Sequence, residues 1–501
     1  MEQDLGKKLF TGTLWLVSTR LALRGLSIIS TIALAWLLTT ADFGIVAMAS
    51  IVTELMVACT EIGMKDVIIY HRDTDRKFYD TAWTIQLIRG VVLGIILFLF
   101  SNPIASIFNE QQLIPVFRVL SIVFILNGMI STNIAIFQKE MRFNVEFYYR
   151  ISTQIVNLVG TIALALWLRN YWAMVFGNII FAISCVVISF WFAPIIPKPT
   201  LLYWRKILSF SQWIAFRQLV AVISQKIDQI MIGRWFGKEF LGQYNMATQI
   251  STIPSTEISR PLSFSLLPAL AKLQDQQNQF RFTLSMSLAA VLISALPVSF
   301  GLMMIAKPLV SLLLPPQWVL VGTIIQILAL FGLASTISSP LLAAMASKGK
   351  VREVFFINII IFILKCGILY LGYILNGYIG VAWGTVISAA VEALVYLWNI
   401  NRDNYLDVSI LLKQLWRPVF ATTIMIVSVY GIQRTIIVMK YGAYVEVSTM
   451  IVIGMVTYVV ALLGTWRIVG KPEGVETSLL NMTSDLVKKI KIRIMDFLHK
   501  L

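Results

Sequence analysis

The residues able to do chemistry in this sequence are charges in places where charge is costly. Arg20, Arg24, Arg89, Arg217, Lys226, Arg260 and Lys365, with Glu54, Glu61, Asp228, Glu257 and Glu392, all fall within long apolar runs. A charge at the centre of a bilayer costs roughly 2.5–3.5 kcal/mol on insertion scales, so such side chains line a cavity, pair, or reach for the surface. Arg20 and Arg24 are four apart and share a helix face. Each guanidinium stays cationic and grips phosphate or carboxylate through two parallel hydrogen bonds. These two read either as the lining of a cavity or as contacts to lipid headgroups at its cytoplasmic mouth. Arg217 and Asp228 are three helical turns apart on one face, with Ser224 and Gln225 between them. Glu54 and Glu61 share a face of the second apolar run. Glu257 and Arg260, three apart just before Pro261, read as a local structural pair. Arg89, beside Gly90, suits lining or interhelical pairing, and mid-span Lys365 suits lining or snorkelling. Glu392, nearer a span end, reads as a group reaching for the surface. The chemistry on offer is electrostatic binding of an anion.

Bond-making chemistry finds little support. The two histidines, His71 and His499, lie in a loop and in the tail, and Cys59, Cys185 and Cys366 fall in three distant spans. No disulfide framework, zinc site or other metal cluster follows from that spacing. No catalytic residue is assigned, and no cofactor beyond a coupling H+ or Na+.

The elements that must hold these charges are membrane helices. The chain of 501 residues is 58% hydrophobic and only 13% charged, about half the charged share of a soluble protein. Apolar runs of roughly 20 residues, the length that crosses about 30 Å of hydrocarbon, recur from end to end. About fourteen spans are predicted on this basis. The first is too long for a cleavable leader, and no small-residue cleavage site follows it. Basic residues crowd alternate loops, among them Lys65, Arg72, Arg76 and Lys77; Lys139, Arg142 and Arg150; and Lys348, Lys350 and Arg352. The opposite loops carry seven: Arg118, Arg169, Arg234, Lys238, Lys307, Arg434 and Lys440. The strict alternation places both termini in the cytoplasm. It also explains the net charge of +16 without nucleic acid.

The spans form a repeat. Residues 15–49 echo residues 213–247: Trp15 precedes Gly44 by as many positions as Trp213 precedes Gly242. Asp42-Phe43 and Glu239-Phe240 stand just before each glycine, and Met48-Ala49 and Met246-Ala247 follow it. Tyr171 and Gly177 open the sixth span as Tyr378 and Gly384 open the twelfth. The expected fold is therefore all-α and polytopic, with two parallel six-helix lobes around a central cavity, residues 1–195 and 196–400. Parallel repeats of this kind occur in alternating-access transporters. The proline-rich stretch 194–199 separates the lobes, and residues 401–468 add two further spans. Residues 469–501 form a basic tail in which Leu486, Ile490, Ile494 and Phe497 recur at helical spacing, as in a helix lying on the inner membrane surface.

Four stretches carry a family resemblance: the W-x-x-x-x-R of Trp15 to Arg20, DFGIVAMA at 42–49, DQIMIGRWFG at 228–237 and LGQYNMA at 241–247. Together they resemble the polysaccharide transporter branch of the multidrug/oligosaccharidyl-lipid/polysaccharide exporter superfamily, and within it the colanic-acid and teichuronic-acid type exporters. The resemblance runs over essentially the whole length. It implies a flippase of the bacterial cytoplasmic membrane that moves undecaprenyl-pyrophosphate-linked oligosaccharide repeat units, exchanged against a proton or sodium gradient. It further implies that Arg20, Arg24, Arg217 and Lys226 face the cavity, with Arg89 and Lys365 as additional cationic lining. Asp228 and Glu61 become the ion-coupling candidates. Membrane lipids, a polysaccharide polymerase and assembly proteins are the implied partners.

Two relatives in the same superfamily compete: a peptidoglycan-precursor flippase, and a multidrug or cation antiporter. The basic excess inside the spans disfavours a cation carrier. An enzyme of the same pathway is disfavoured on other grounds. A polymerase or ligase needs a large outward loop for its catalytic residues, and an acyltransferase needs an intramembrane histidine. The sequence has neither.

Overall fold

In hydrocarbon every backbone amide must be satisfied internally, and within a single segment only a helix does this. The structure, a computed structural model, describes residues 2–60, 75–140, 142–439, 442–472 and 474–477, and all regular elements among them are helical. In chain order these are α1 (Glu2–Leu37), α2 (Thr40–Cys59), α3 (Arg76–Leu99), α4 (Ser101–Phe108), α5 (Leu113–Met129), α6 (Ile134–Lys139), α7 (Phe143–Leu168) and α8 (Trp172–Phe192). They continue with α9 (Trp204–Ser251), a π-turn (Pro254–Ser259), α10 (Arg260–Lys272), α11 (Gln277–Leu313), α12 (Val319–Ser347), α13 (Val351–Arg402), α14 (Val408–Met439) and α15 (Ala443–Ile468). The chain is an all-α polytopic membrane protein.

Ten helices among the described residues are long and apolar enough to cross a membrane, with Leu113–Met129 a shorter apolar one. Two of the elements are hairpins and not rods. α13 has 52 residues, which would span about 78 Å if straight. Its backbone instead breaks from helical geometry at Asn376 and Gly377. Its arms then approach so closely that a β-carbon on Gly380 would sit 1.9 Å from the Gly372 carbonyl oxygen. α9 reverses at Gly237, whose φ of 80° and ψ of −174° form a conformation essentially reserved for glycine. Across that turn the Tyr244 hydroxyl donates to Asp228 Oδ2 at 2.8 Å. α9 is poorly apolar because it carries Lys226, Asp228, Arg234, Lys238 and Glu239. α13 is among the ten and α9 is not; the expected count of about fourteen requires both arms of each hairpin together with α5.

Packing divides the chain into two compact units, residues 1–245 with 314–318, and residues 246–313 with 319–501. The first unit thus takes in the seventh predicted span, beyond the proline-rich stretch. Packing and sequence repeat partition the chain at different residues.

In the first unit α1 packs on α7, α3 on α5, and α8 on both α5 and α7. The turn into α2 is a capping box: Thr39 Oγ1 accepts from the Asp42 amide, and Asp42 Oδ2 accepts from the Thr39 amide at 2.9 Å. Asp42 Oδ1 also accepts from the Tyr171 amide at 2.9 Å, tying the start of α2 to the start of α8. The short segment 314–318 closes the end of α1. Trp318 Nε1 donates to the Ala35 carbonyl at 3.2 Å and Gln317 Nε2 to the Leu38 carbonyl at 3.1 Å, groups a helix end leaves without internal partners.

In the second unit α11 packs against α12, α14 and α15, and α12 against α13. The Tyr458 hydroxyl fixes α15 to α11 by donating to the Ile293 carbonyl at 2.6 Å. Glu257 and Arg260 are both exposed here, and among the described residues no ion pair joins them. Glu257 lies in the π-turn Pro254–Ser259 and Arg260 opens α10, so the winding between them departs from the α-helical spacing on which the expected pairing rests.

Candidate functional site

Helical periodicity in the first unit brings polar side chains of four helices to one place. Ser50, Thr53, Glu54 and Val57 fall on one stripe of α2, and Leu120, Phe124 and Asn127 on one stripe of α5. With Asn178 of α8 and Gln218 of α9 they line a cavity of about 400 Å3. At its edge Lys226 Nζ lies 3.0 Å from Glu54 Oε2 and 3.3 Å from Oε1. The ammonium spans the carboxylate, so the two formal charges cancel locally. The pair is only partly buried, with the Glu54 side chain 50% exposed.

Asp228, two residues along α9, is different. It is 3% exposed. Its Oδ2 accepts from Tyr244, whereas Oδ1 has no hydrogen-bond partner. Gln243 Oε1 is likewise buried without a partner. A buried polar oxygen without a hydrogen-bond partner carries an uncompensated desolvation cost.

The other sequence-predicted residues are dispersed. Arg20 is exposed and Arg24 half-buried on α1. Arg89 bridges two helices: Nε donates to Thr60 Oγ1 at 2.8 Å and Nη2 to the Val57 carbonyl at 3.0 Å. There it meets the C-terminal end of α2, where the helix dipole favours a cation. Lys365 is buried at 8% exposure in the second unit. Glu61 and the side chain of Arg217 lie outside the described residues. Lys226 and Glu54 are therefore the pair the structure brings together, across α9 and α2. Among the described residues no group of side chains suits a metal ion.

Beyond this geometry, the family model described as polysaccharide biosynthesis protein matches residues 33–322, more than half of the chain. The chain belongs to the polysaccharide biosynthesis protein family. This family member is 22% identical over 400 residues to the lipopolysaccharide biosynthesis protein WzxC of Escherichia coli (strain K12), covering 78% of this chain and 80% of that protein. It is 22% identical over 478 residues to the teichuronic acid biosynthesis protein TuaB of Bacillus subtilis (strain 168), covering 92% and 96%. Its fold is similar to that of the lipid II flippase MurJ in an inward closed conformation, with a TM-score of 0.70 at 15% identity over 91% of this chain and 99% of that one. The family and the polytopic helical class expected from the sequence are as found.

Sequence reasoning in this family member missed the neutral side chains. Asn127, Asn178 and Gln218 bring the cavity its amides, and Tyr244 holds Asp228. The available signal was amides inside apolar runs, which are costly in hydrocarbon in the same way as charges. It also missed Glu146, 4% exposed, whose Oε1 accepts from Arg150 Nε at 2.7 Å and Gln138 Nε2 at 2.6 Å beside a second cavity of about 320 Å3.

Proposed function

We propose that this protein is a flippase that turns undecaprenyl-pyrophosphate-linked oligosaccharide repeat units from the inner to the outer leaflet of the bacterial cytoplasmic membrane, for cell-surface polysaccharide assembly. The observation that carries the reading is a cavity of about 400 Å3 with a partly polar wall among apolar helices, in a chain whose family is polysaccharide biosynthesis. A pyrophosphate cannot cross hydrocarbon unaided, whereas the prenyl tail stays in lipid. A polar path replaces the hydration the head group loses. Arg20, Arg24, Arg89, Arg217 and Lys365 are the cations proposed to hold the pyrophosphate. Lys226, the remaining cation of the expected set, is held by Glu54 in this structure.

Transport proceeds by alternating access of the two repeats, 1–195 and 196–400. It is coupled to a proton or sodium ion at Asp228, with Glu61 as a second candidate carboxylate. Intramembrane carboxylates in relays of this kind mark ion pathways. The orphaned Asp228 Oδ1 supports this assignment. Both termini face the cytoplasm, and a polymerase and assembly proteins receive the cargo outside.

The test is a deletion strain. It accumulates lipid-linked repeat units with their sugars on the cytoplasmic leaflet and loses surface polysaccharide; Arg20→Ala with Arg24→Ala reproduces this at unchanged protein level. Unchanged polysaccharide with altered drug sensitivity would instead mark an antiporter.

A further inference from the structure

The cavity between α2, α5, α8 and α9 is built from a different chemistry than the arginines suited to pyrophosphate. Its polar wall consists of amides and hydroxyls. Asn127 and Gln218 line it with side-chain amides that form no hydrogen bond among the described residues. Asn178 commits one N–H, to the Met174 carbonyl at 3.1 Å, and keeps its oxygen and second N–H. A primary amide offers two donors and an acceptor with two lone pairs. A sugar hydroxyl likewise donates and accepts, so an amide meets a pair of neighbouring hydroxyls. Phosphate and carboxylate oxygens accept only, and half of each amide would be wasted on them.

The charges at this wall point the same way. Lys226 is the ammonium at the cavity edge, and both oxygens of Glu54 already take it, at 3.0 and 3.3 Å. A cargo carboxylate entering the cavity would face Glu54 with its counter-ion already engaged. An uncharged hydroxyl would instead donate to the free lone pairs of Glu54. Val57, Phe124 and Val222 complete the lining with apolar surface for the C–H face of a ring. The volume, about 400 Å3, lies at the lower end of the roughly 300–1,000 Å3 typical of ligand pockets, room for a small saccharide and not for a whole lipid-linked head group.

We infer that this cavity is a subsite for an uncharged sugar of the cargo. Asn127, Asn178, Gln218 and Glu54 read its hydroxyls, and Lys226 keeps the wall neutral. The inference rests on the flippase reading above and narrows it: a neutral sugar is preferred in this cavity, and a uronic acid is disfavoured there.

The experiment uses the full-length protein in lipid nanodiscs and three probes: bare undecaprenyl pyrophosphate, the same carrier bearing glucose, and the carrier bearing glucuronate. Glucose is expected to tighten binding about tenfold over the bare carrier, equivalent to roughly 1.4 kcal/mol, and glucuronate to give no gain. In Asn127→Leu with Gln218→Leu, the ratio of glucose-bearing to bare carrier affinity falls toward one. In Glu54→Gln, which leaves Lys226 without its carboxylate, the glucuronate-bearing carrier gains about tenfold. The ratio is read within each variant, so a general loss of folded protein does not mimic the result. If the double variant binds nothing, Glu54→Gln and single Asn127→Leu decide. Equal binding of glucose-bearing and bare carriers by the wild type, or a preference for glucuronate, overturns the subsite and leaves the flippase reading standing. Absence of binding to all three carriers overturns both.

Discussion

Gly44 and Gly242 each face the backbone at the other's helix start. A β-carbon on Gly44 would lie 1.7 Å from the Lys238 carbonyl oxygen, and one on Gly242 would lie 2.0 Å from the Thr40 carbonyl oxygen. Thr40 precedes Gly44 by four residues, as Lys238 precedes Gly242. The contact is self-complementary, like an interface about a twofold axis in which residue i meets j and j meets i. The two equivalent glycines of the repeat are thus each other's packing partners.

Gly44→Ala and Gly242→Ala should therefore destabilise to a similar degree, by at least the roughly 1–3 kcal/mol of ordinary overpacking, because the atoms in the way are backbone carbonyls that cannot rotate aside. Thermal unfolding in detergent checks this. Tolerance of one substitution and not the other would break the reciprocity.

Asp228 and Tyr244 allow the fold and the proposed coupling to be tested apart. Tyr244→Phe removes the hydrogen bond that the carboxylate receives in the structure and should cost about 1–3 kcal/mol, the penalty for a buried polar group left unsatisfied. Asp228→Asn keeps the shape and removes the charge, so stability is expected to hold or rise while polysaccharide export stops. Full export by Asp228→Asn would remove this residue from the coupling path.

Arg417 and Glu476 form a pair with side chains 2% and 1% exposed, Nη1 to Oε1 at 3.1 Å. Glu476 belongs to the start of the C-terminal tail, so the pair locks that segment onto α14. Glu476→Ala strands a buried guanidinium and should cost about 3–5 kcal/mol, whereas Arg417→Met with Glu476→Leu should be close to neutral. Chemical unfolding of the three proteins measures the difference. Equal losses in the single and double variants would contradict it.

Lys350 gives a pH signature outside the membrane. Its ammonium donates to Asp403 at 2.6 Å, with Glu353 at 3.3 Å, and the hydrogen bond to Asp403 holds it above the ordinary lysine range. A group whose pKa is higher in the folded chain contributes stability that is fully present below its unfolded value, about 10.4, and is lost as pH rises through the folded value. The difference in melting temperature between wild type and Lys350→Met should stay constant through neutral pH and narrow only above about pH 10.4. Narrowing on acidification toward pH 6 would assign the effect to another group.

Much of this was legible in the residues alone. Hydropathy and loop charge gave the helical, polytopic class, because hydrocarbon tolerates few other backbones. The repeat was visible in Trp15 to Gly44 and Trp213 to Gly242, and the resemblance in DFGIVAMA and DQIMIGRWFG led to the family. The individual charges were legible as costly but not as partnered. Sequence spacing compares residues on one helix, and the π-turn at Glu257 changes even that spacing. Lys226 and Glu54 lie 172 positions apart, and only packing of α9 against α2 could make them a pair.

What the sequence determined by itself was the solvent: long apolar runs commit the chain to a membrane, and charged residues within them commit it to a polar interior. What only the tertiary structure decided was the bookkeeping of those polar groups. Arg89 binds the end of α2, Lys226 pairs with Glu54, and Asp228 is left with an orphaned oxygen. The amides of Asn127, Asn178 and Gln218 are gathered around one cavity. The physical reason is range: burial cost is a property of each residue in its own segment, whereas its compensation depends on atoms within about 3 Å, which folding draws from anywhere in the chain.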